Sequence, residues 1–317
     1  MFTKNSKKIL MCFCIILFLG MTISPVISAE ANNALNATAI DSTKEKIDSF
    51  TVTEYEVITD LKQSSDSELM KRGYSTNEIA EIKDFSFEKS LLERAQLSEK
   101  SLYGMGYNSD QIALLKSYDG GPLENNPQMV AVFGTLSGTI YKNYMYSNQA
   151  SAIFTWQWSN TPLICGPLRD TVACYFTATK TGGGSHTVVA LNNSSTYCDV
   201  EYYFGNSKMN TTRYNVAFPS PQKSAEVKFP MEKNINGADC WAKKGTMVIA
   251  IREDVVVYNM AIAYFTFGYG HSVLTTTPSV NVPFGGGLEF GIGVTREFYK
   301  TIRLNINGTS QIYNGLA

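Results

Sequence analysis

The chain has 317 residues, with 27 basic and 28 acidic side chains, a net charge of −1 and 44% hydrophobic residues. That balance excludes a polybasic binder, and no nucleic-acid partner is expected. With no P-loop, dinucleotide fingerprint or Asp-rich calcium loop in the sequence, no cofactor and no metal is expected either.

Lys4, Lys7 and Lys8 precede an uncharged run from Ile9 to Gly20 that is too short to span a bilayer. Small residues follow at Ser28, Ala29 and Ala31. The pattern predicts a signal peptide over residues 1–31, cleaved after Ala29 or Ala31, and so a secreted, extracellular protein. The rival reading is an uncleaved anchor. Processing would leave 24 basic and 27 acidic residues, a net of −3, and residues 32–60 read as an N-terminal extension.

A tandem repeat follows. Ser65, Glu68, Leu69, Gly73 and Tyr74 recur at one constant offset as Ser98, Ser101, Leu102, Gly106 and Tyr107, and the match continues from Ile79, Ile82 and Lys83 to Ile112, Leu115 and Lys116. Ser65 with Glu68 and Ser75 with Glu78 fit the capping box, and Asn108 with Gln111 is a weaker form. Gly73 and Gly106 suit the left-handed residue that ends a helix. Phe87, Leu91, Leu92 and Ala95 fall at helical spacing and predict a helix linking the repeats. Two copies are too few for a solenoid, so residues 61–119 read as a compact helical module. It reads as a propeptide, a docking unit or a structural domain.

The repeated pattern S-D-x-E-L-x-x-x-G-Y-x-x-x-E-I-x-x-I-K resembles that of uncharacterised exported proteins of Gram-positive bacteria. The resemblance implies export and a shared layout. No activity comes with it.

Asp119-Gly120-Gly121-Pro122 stops the last helix, and residues 120–128 read as a linker. From Met129 to the end, residues 129–317, Thr, Val, Tyr, Phe, Asn and Gly predominate, and many short alternating segments without helical periods predict strands. The expected fold is α+β: a small N-terminal helical module followed by a mainly antiparallel β-sandwich or open barrel.

Phe154, Trp156 and Trp158 share one face of a predicted strand. They are expected to form a buried face, or to stack on sugar rings if exposed. Cys165, Cys174, Cys198 and Cys240 would remain after processing, and an even count in an exported chain predicts two disulfides. Three pairings are possible; Cys165 with Cys174 closes the shortest loop.

Residues 255–288 carry no Asp, Glu, Lys or Arg. Val280, Val282 and Phe284, then Leu288, Phe290 and Ile292, alternate with small or polar residues on either side of Gly285-Gly286-Gly287. This is the pattern of a membrane hairpin, and equally of a half-buried sandwich hairpin. Pro278 and Pro283 interrupt its first arm. His186 and His271 are the only histidines, each beside a serine and preceded by glycine, but no nucleophile elbow surrounds either serine.

The sequence thus predicts a secreted, non-enzymatic protein binding an extracellular ligand, namely a cell-surface glycan, a protein or a membrane. The alternatives are a membrane-active, bacteriocin-like toxin with an acidic helical propeptide, and a hydrolase built on His186 or His271.

Overall fold

The computed structural model describes residues 44–72, 74–163, 169–254, 259–272, 280–281, 289–290, 294–307 and 310–313, all within one unit, Ile40–Ala317. The signal-like segment, Cys165, Val282, Phe284, Leu288 and Ile292 lie outside the described residues.

Of the segment read as an N-terminal extension, residues 44–60 are described, and they hold a strand and most of a helix. Strand β1, Glu45–Thr53, pairs antiparallel with β2, Thr135–Met145. Phe50 stacks on Phe154 with ring centroids 6.2 Å apart, so burial of an aromatic holds this strand to the sheet. Its last residue, Thr53, also caps the next helix, accepting from the Glu56 backbone N–H while the Glu56 carboxylate accepts from Thr53.

Six helices follow: α1 Glu54–Gln63, α2 Asp66–Lys71, α3 Thr76–Asp84, α4 Phe87–Ala95, α5 Glu99–Gly104 and α6 Ser109–Ser117. Each of the first three precedes its counterpart in the second three by the same interval that separates Ser65 from Ser98. The predicted linking helix is therefore the first helix of the second repeat, and α1 is its partner in the first. All three capping boxes expected from sequence form. Each contributes about 1 kcal/mol to its helix. The Gly106 turn has φ +89°, and Tyr107 N–H reaches back to Leu102 O at 3.2 Å, as Tyr74 N–H does to Leu69 O at 3.0 Å.

The first repeat buries Leu61, Leu69, Tyr74, Ile79 and Ile82 among themselves. The second does not close on itself. Leu91, Leu102, Tyr107 and Leu115 share a cluster with Met129, Val132, Phe133 and Leu163 from the β-rich part of the chain.

The remaining strands are β3 Gln149–Trp158, β4 Arg169–Lys180, β5 Ser185–His186, β6 Val188–Ala190, β7 Tyr197–Phe204, β8 Ser207–Tyr214, β9 Ala217–Ser220, β10 Ser224–Pro230, β11 Glu232–Ile235, β12 Ala238–Glu253, β13 Met260–Ser272, β14 Val280–Asn281, β15 Glu289–Phe290, β16 Val294–Asn305 and β17 Gln311–Tyr313. One sheet runs β1-β2-β3-β12-β7-β8, and the other β17-β16-β13-β4-β10-β9. Phe154, Val200, Met247 and Ile249 of the first share a single core with Val172, Phe176, Phe229 and Phe267 of the second. The fold is α+β with antiparallel sheets arranged as a sandwich. The small pair β14–β15 sets Val280 opposite Phe290, and His186 in β5 is opposite Ala178.

Of the two alternatives for the tryptophan face the buried one holds, and the disulfide expectation is corrected. Trp156 and Trp158 are core residues, 2% and 1% exposed, not a sugar platform. Trp156 lies between two glycines on the flanking strands, Gly138 and Gly245, and a Cβ at Gly245 would meet its ring at 2.0 Å. The indole fits because Gly245 lacks a side chain, while the bare position at Gly138 is taken by the Phe50 ring, which a Cβ there would meet at 2.0 Å. The described cysteines are not paired: Cys174, Cys198 and Cys240 are free and buried, so the Cys165–Cys174 bridge is not formed. They sit on three different strands with their sulfurs in the core, where a thiol packs as a small apolar group.

Candidate functional site: a cleft where the second repeat meets the sandwich

The seam between α5 and the first sheet is built from main-chain hydrogen bonds. Gly205 N–H donates to Gly104 O at 2.8 Å, and the Thr161 N–H and hydroxyl both donate to Met105 O at 2.8 Å. Gly104 permits this approach, because a Cβ there would fall 2.6 Å from the Phe204 ring. The chain after β3 is clamped from the helical side as well. The Arg94 guanidinium donates to Pro162 O at 2.9 Å and Leu163 O at 2.8 Å, while Leu163 N–H donates to the Glu54 carboxylate at 2.7 Å. Glu54 and Arg94 are both buried. Buried charges of this kind are retained where they are fully hydrogen-bonded.

A shallow cleft lies in this seam, about 240 Å³ counted with the solvent at its open mouth and with enclosed room for about one water. Met105, Pro162, Trp158, Met231 and Trp241 give it an apolar lining, and Tyr203 and Lys243 stand among its remaining walls. Behind Trp158 is a polar chain sealed in the core. Trp158 Nε1–H donates to the Tyr269 hydroxyl at 3.0 Å, which donates to Asp170 Oδ2 at 2.6 Å. His271 Nδ1 lies 2.9 and 3.0 Å from the two carboxylate oxygens of Asp170. The Met231 sulfur is 4.0 Å from the same hydroxyl. Trp158, in the wall of the cleft, is thus fixed from behind by a buried network that Met231 only touches.

Both strands that border the cleft carry an irregularity there. In β12, Ala242 pairs with Tyr202 and Lys244 with Glu201, so Lys243 is an extra residue without a partner on β7. In β7 the register with β8 shifts between Tyr202 and Tyr203. A bulge re-aims side chains that alternation would send to opposite faces. Here it turns Lys243 and Lys244 to the same side, with their ammonium groups 5.9 and 5.6 Å from the Tyr203 ring centre. Lys243 also donates to Asn206 Oδ1 at 3.1 Å. Burial, and after it the Lys244 charge, lowers the Lys243 pKa below the ordinary lysine value. Burial and the bond from its hydroxyl to Glu201 at 2.7 Å raise the Tyr203 pKa.

Of the residues singled out from sequence, Trp158 reaches this cleft, as an almost fully buried part of its wall, and His271 lies behind it. Trp156, Cys174, Cys198 and Cys240 belong to the core. Sequence reading missed Trp241, Tyr203, Lys243 and Lys244. A signal for them was present: Gly245, Met247, Ile249 and Ile251 alternate inward, and so do Cys240 and Ala242. The two series are out of phase. Strict alternation from Met247 would bury Lys243, so the strand has to slip by one residue between Ala242 and Gly245.

No family model matches the chain, and no curated protein does. Among solved structures it is similar to AvmM, which catalyzes macrocyclization in alchivemycin A biosynthesis. The match covers 53% of this chain and 85% of that one at 10% identity, with a TM-score of 0.24. A likeness that remote transfers neither fold nor activity.

Proposed function

We propose that this is an exported, non-enzymatic binding protein that takes an extracellular ligand in the seam cleft, with the second helical repeat as one permanent wall. The observation that carries this reading is that the cleft has no complete wall in either part alone. Gly104 and Met105 come from the repeat, and Trp158, Met231 and Trp241 from the sandwich. Pockets at such junctions, apolar with a few convergent polar groups, are the usual place for a ligand. The signal-like start of the chain supports export.

The toxin reading requires the helical part to leave, and the packing opposes that. Removing residues 32–121 would strip β1 from its sheet and uncover Val132, Phe133 and Leu163. The hydrolase reading gains the Asp170–His271 pair, which resembles a base and its orienting carboxylate. Both side chains are 1% exposed, however, and tied to Trp158 through Tyr269, which suits a strut better than a reacting centre.

The test is retention of the purified protein on cell envelopes, immobilised glycans and liposomes. Saturable retention on one of them, reduced by Trp241→Ala in a variant that melts as the parent does, supports the reading. Hydrolysis of peptide or ester substrates that His271→Ala abolishes would overturn it, as would retention indifferent to Trp241.

A further inference from the structure

We infer that Met105 is a site of oxidation by peroxide, and that its sulfoxide tightens the joint between the second helical repeat and the sandwich because the Arg94 guanidinium holds the added oxygen. No ligand in the cleft is needed for this.

Arg94 is a buried cation, 8% exposed, whose acceptors among the described residues are unequal. Its Nη2 donates to Pro162 O at 2.9 Å and Leu163 O at 2.8 Å, whereas Nη1 donates to Met105 Sδ at 3.1 Å. A thioether is a weak acceptor, so one donor of a desolvated guanidinium has a poor partner. The Tyr107 ring, 5.8 Å from the guanidinium carbon, adds only the attraction of its π-face. In the first repeat the equivalent positions hold Leu61 and Arg72. The Arg94–Met105 pair therefore belongs to the joint with the sandwich and not to the repeat as such.

Met105 is half-buried and lines the shallow cleft, which gives a small oxidant access to it. The enclosed room there, about one water, matches one added oxygen atom. A sulfur lone pair attacks one peroxide oxygen, and the S–O bond forms as the O–O bond breaks. The proton on the transferred oxygen passes to the departing hydroxide, which leaves as water. Sulfur is oxidised by two electrons and the peroxide is reduced by the same two. In an ordinary core the new polar group disrupts packing. Here the flexible side chain can turn the oxygen towards Nη1 while the sulfur backs towards the cleft. The weak N–H···S contact then becomes a charge-assisted N–H···O bond. Met105 O already accepts from the Thr161 N–H and hydroxyl at 2.8 Å, so the oxidised residue ties the seam through main chain and side chain together.

Hydrogen peroxide on the full chain, followed by peptide mass mapping, tests this with references inside the same molecule. Met70 and Met209 are exposed, and Met129, Met231, Met247 and Met260 are buried. Met105 should gain its oxygen after the exposed pair and before the buried four, Met231 among them although it lines the same cleft. Met70→Leu, Met145→Leu and Met209→Leu together remove the other exposed or half-buried thioethers. In that background the oxidised protein should melt about 2 °C or more above the untreated protein. A lower or unchanged melting temperature once Met105 is oxidised overturns the inference, as does a Met105 that oxidises no faster than the buried four. Met105→Gln supplies a permanent amide oxygen, and Met105→Leu supplies no acceptor. The glutamine variant should melt above the leucine variant. Equal or reversed melting would show that Arg94 gains nothing from a stronger acceptor at this position and would sink the tightening.

Discussion

Lys83 and Lys116 occupy equivalent positions in the two repeats and close them in the same way. Lys83 Nζ donates to Lys62 O at 2.7 Å and also to Ser64 O, and Lys116 Nζ donates to Ala95 O at 2.8 Å and also to Leu97 O. The acceptors are equivalent too, Lys62 matching Ala95 and Ser64 matching Leu97 at the offset of the repeat. Each lysine crosses from the third helix of its repeat to the end of the first, where orphan carbonyls and the negative end of the helix dipole await a cation. Replacing Lys83 with Met should cost about 1–2 kcal/mol. The same change at Lys116, whose bonds are exposed, should cost about 0.5–1 kcal/mol. Urea unfolding of the two variants checks the order as well as the size.

The repeat was legible in the sequence because identical local chemistry recurs at a fixed interval: a Ser or Asn cap, a Gly-Tyr stop and a Lys. Its true length was not. Glu54 and Phe87 begin equivalent helices without resembling each other, since Glu54 is turned to the Leu163 backbone while Phe87 packs against Phe133. Strand β3 was readable from Phe154, Trp156 and Trp158 alternating with Thr155 and Gln157. Strand β8, Ser-Lys-Met-Asn-Thr-Thr-Arg-Tyr, carries no such signal because it is an edge strand with little to bury. The Asp170–His271 pair spans 101 residues and two strands, and no local pattern encodes a contact of that separation.

Gly245 tests the packing of Trp156. An added Cβ would lie 2.0 Å from Cζ2 of a fully enclosed ring, so neither partner can yield locally. Gly245→Ala should cost about 3 kcal/mol, the upper range for overpacking, and alter the near-ultraviolet dichroism of the tryptophans. Gly104→Ala meets Phe204 at 2.6 Å, but that ring is only partly buried and can move. Its cost should be smaller, about 1 kcal/mol. It should also raise proteolytic cutting at the seam.

Asp170 anchors the network behind the cleft through Tyr269 and His271. Asp170→Asn removes a buried charge from partners arranged to receive one, and the expected loss is about 3–5 kcal/mol. His271→Ala should also destabilise. The double variant should lose less than the sum of the two, because both act on one bonded group. Thermal unfolding of the set decides this, and additive losses would show that the two side chains are energetically independent.

Acid should loosen the helical module first. The Thr53 backbone N–H and hydroxyl hold the Glu56 carboxyl below the usual carboxylate pKa, and those of Ser65 do the same for Glu68. A lowered folded-state pKa gives stability that is present above the unfolded value, about 4.3 for Glu, and is lost as pH falls through the folded value. Far-ultraviolet helicity should therefore decline below about pH 4. Glu68→Gln keeps an acceptor oxygen for the cap but has no proton to gain, so it should flatten part of that decline.

The thiols distinguish the observed core from the disulfide framework expected of an exported chain. Cys174 and Cys198 are fully enclosed, and burial pushes both thiols far above the ordinary cysteine pKa; Cys240 is raised by burial and then by Asp239. Reactivity resides in the thiolate, so all three should resist a thiol reagent at neutral pH in the folded protein. In denaturant without reductant, all three should react. Intact-mass analysis with peptide mapping gives the complementary result: Cys174, Cys198 and Cys240 carrying alkylation only after unfolding. A bridge found between any two of them would mean that the sheets approach each other differently at the centre of the sandwich, because these sulfurs now occupy the core as separate apolar groups.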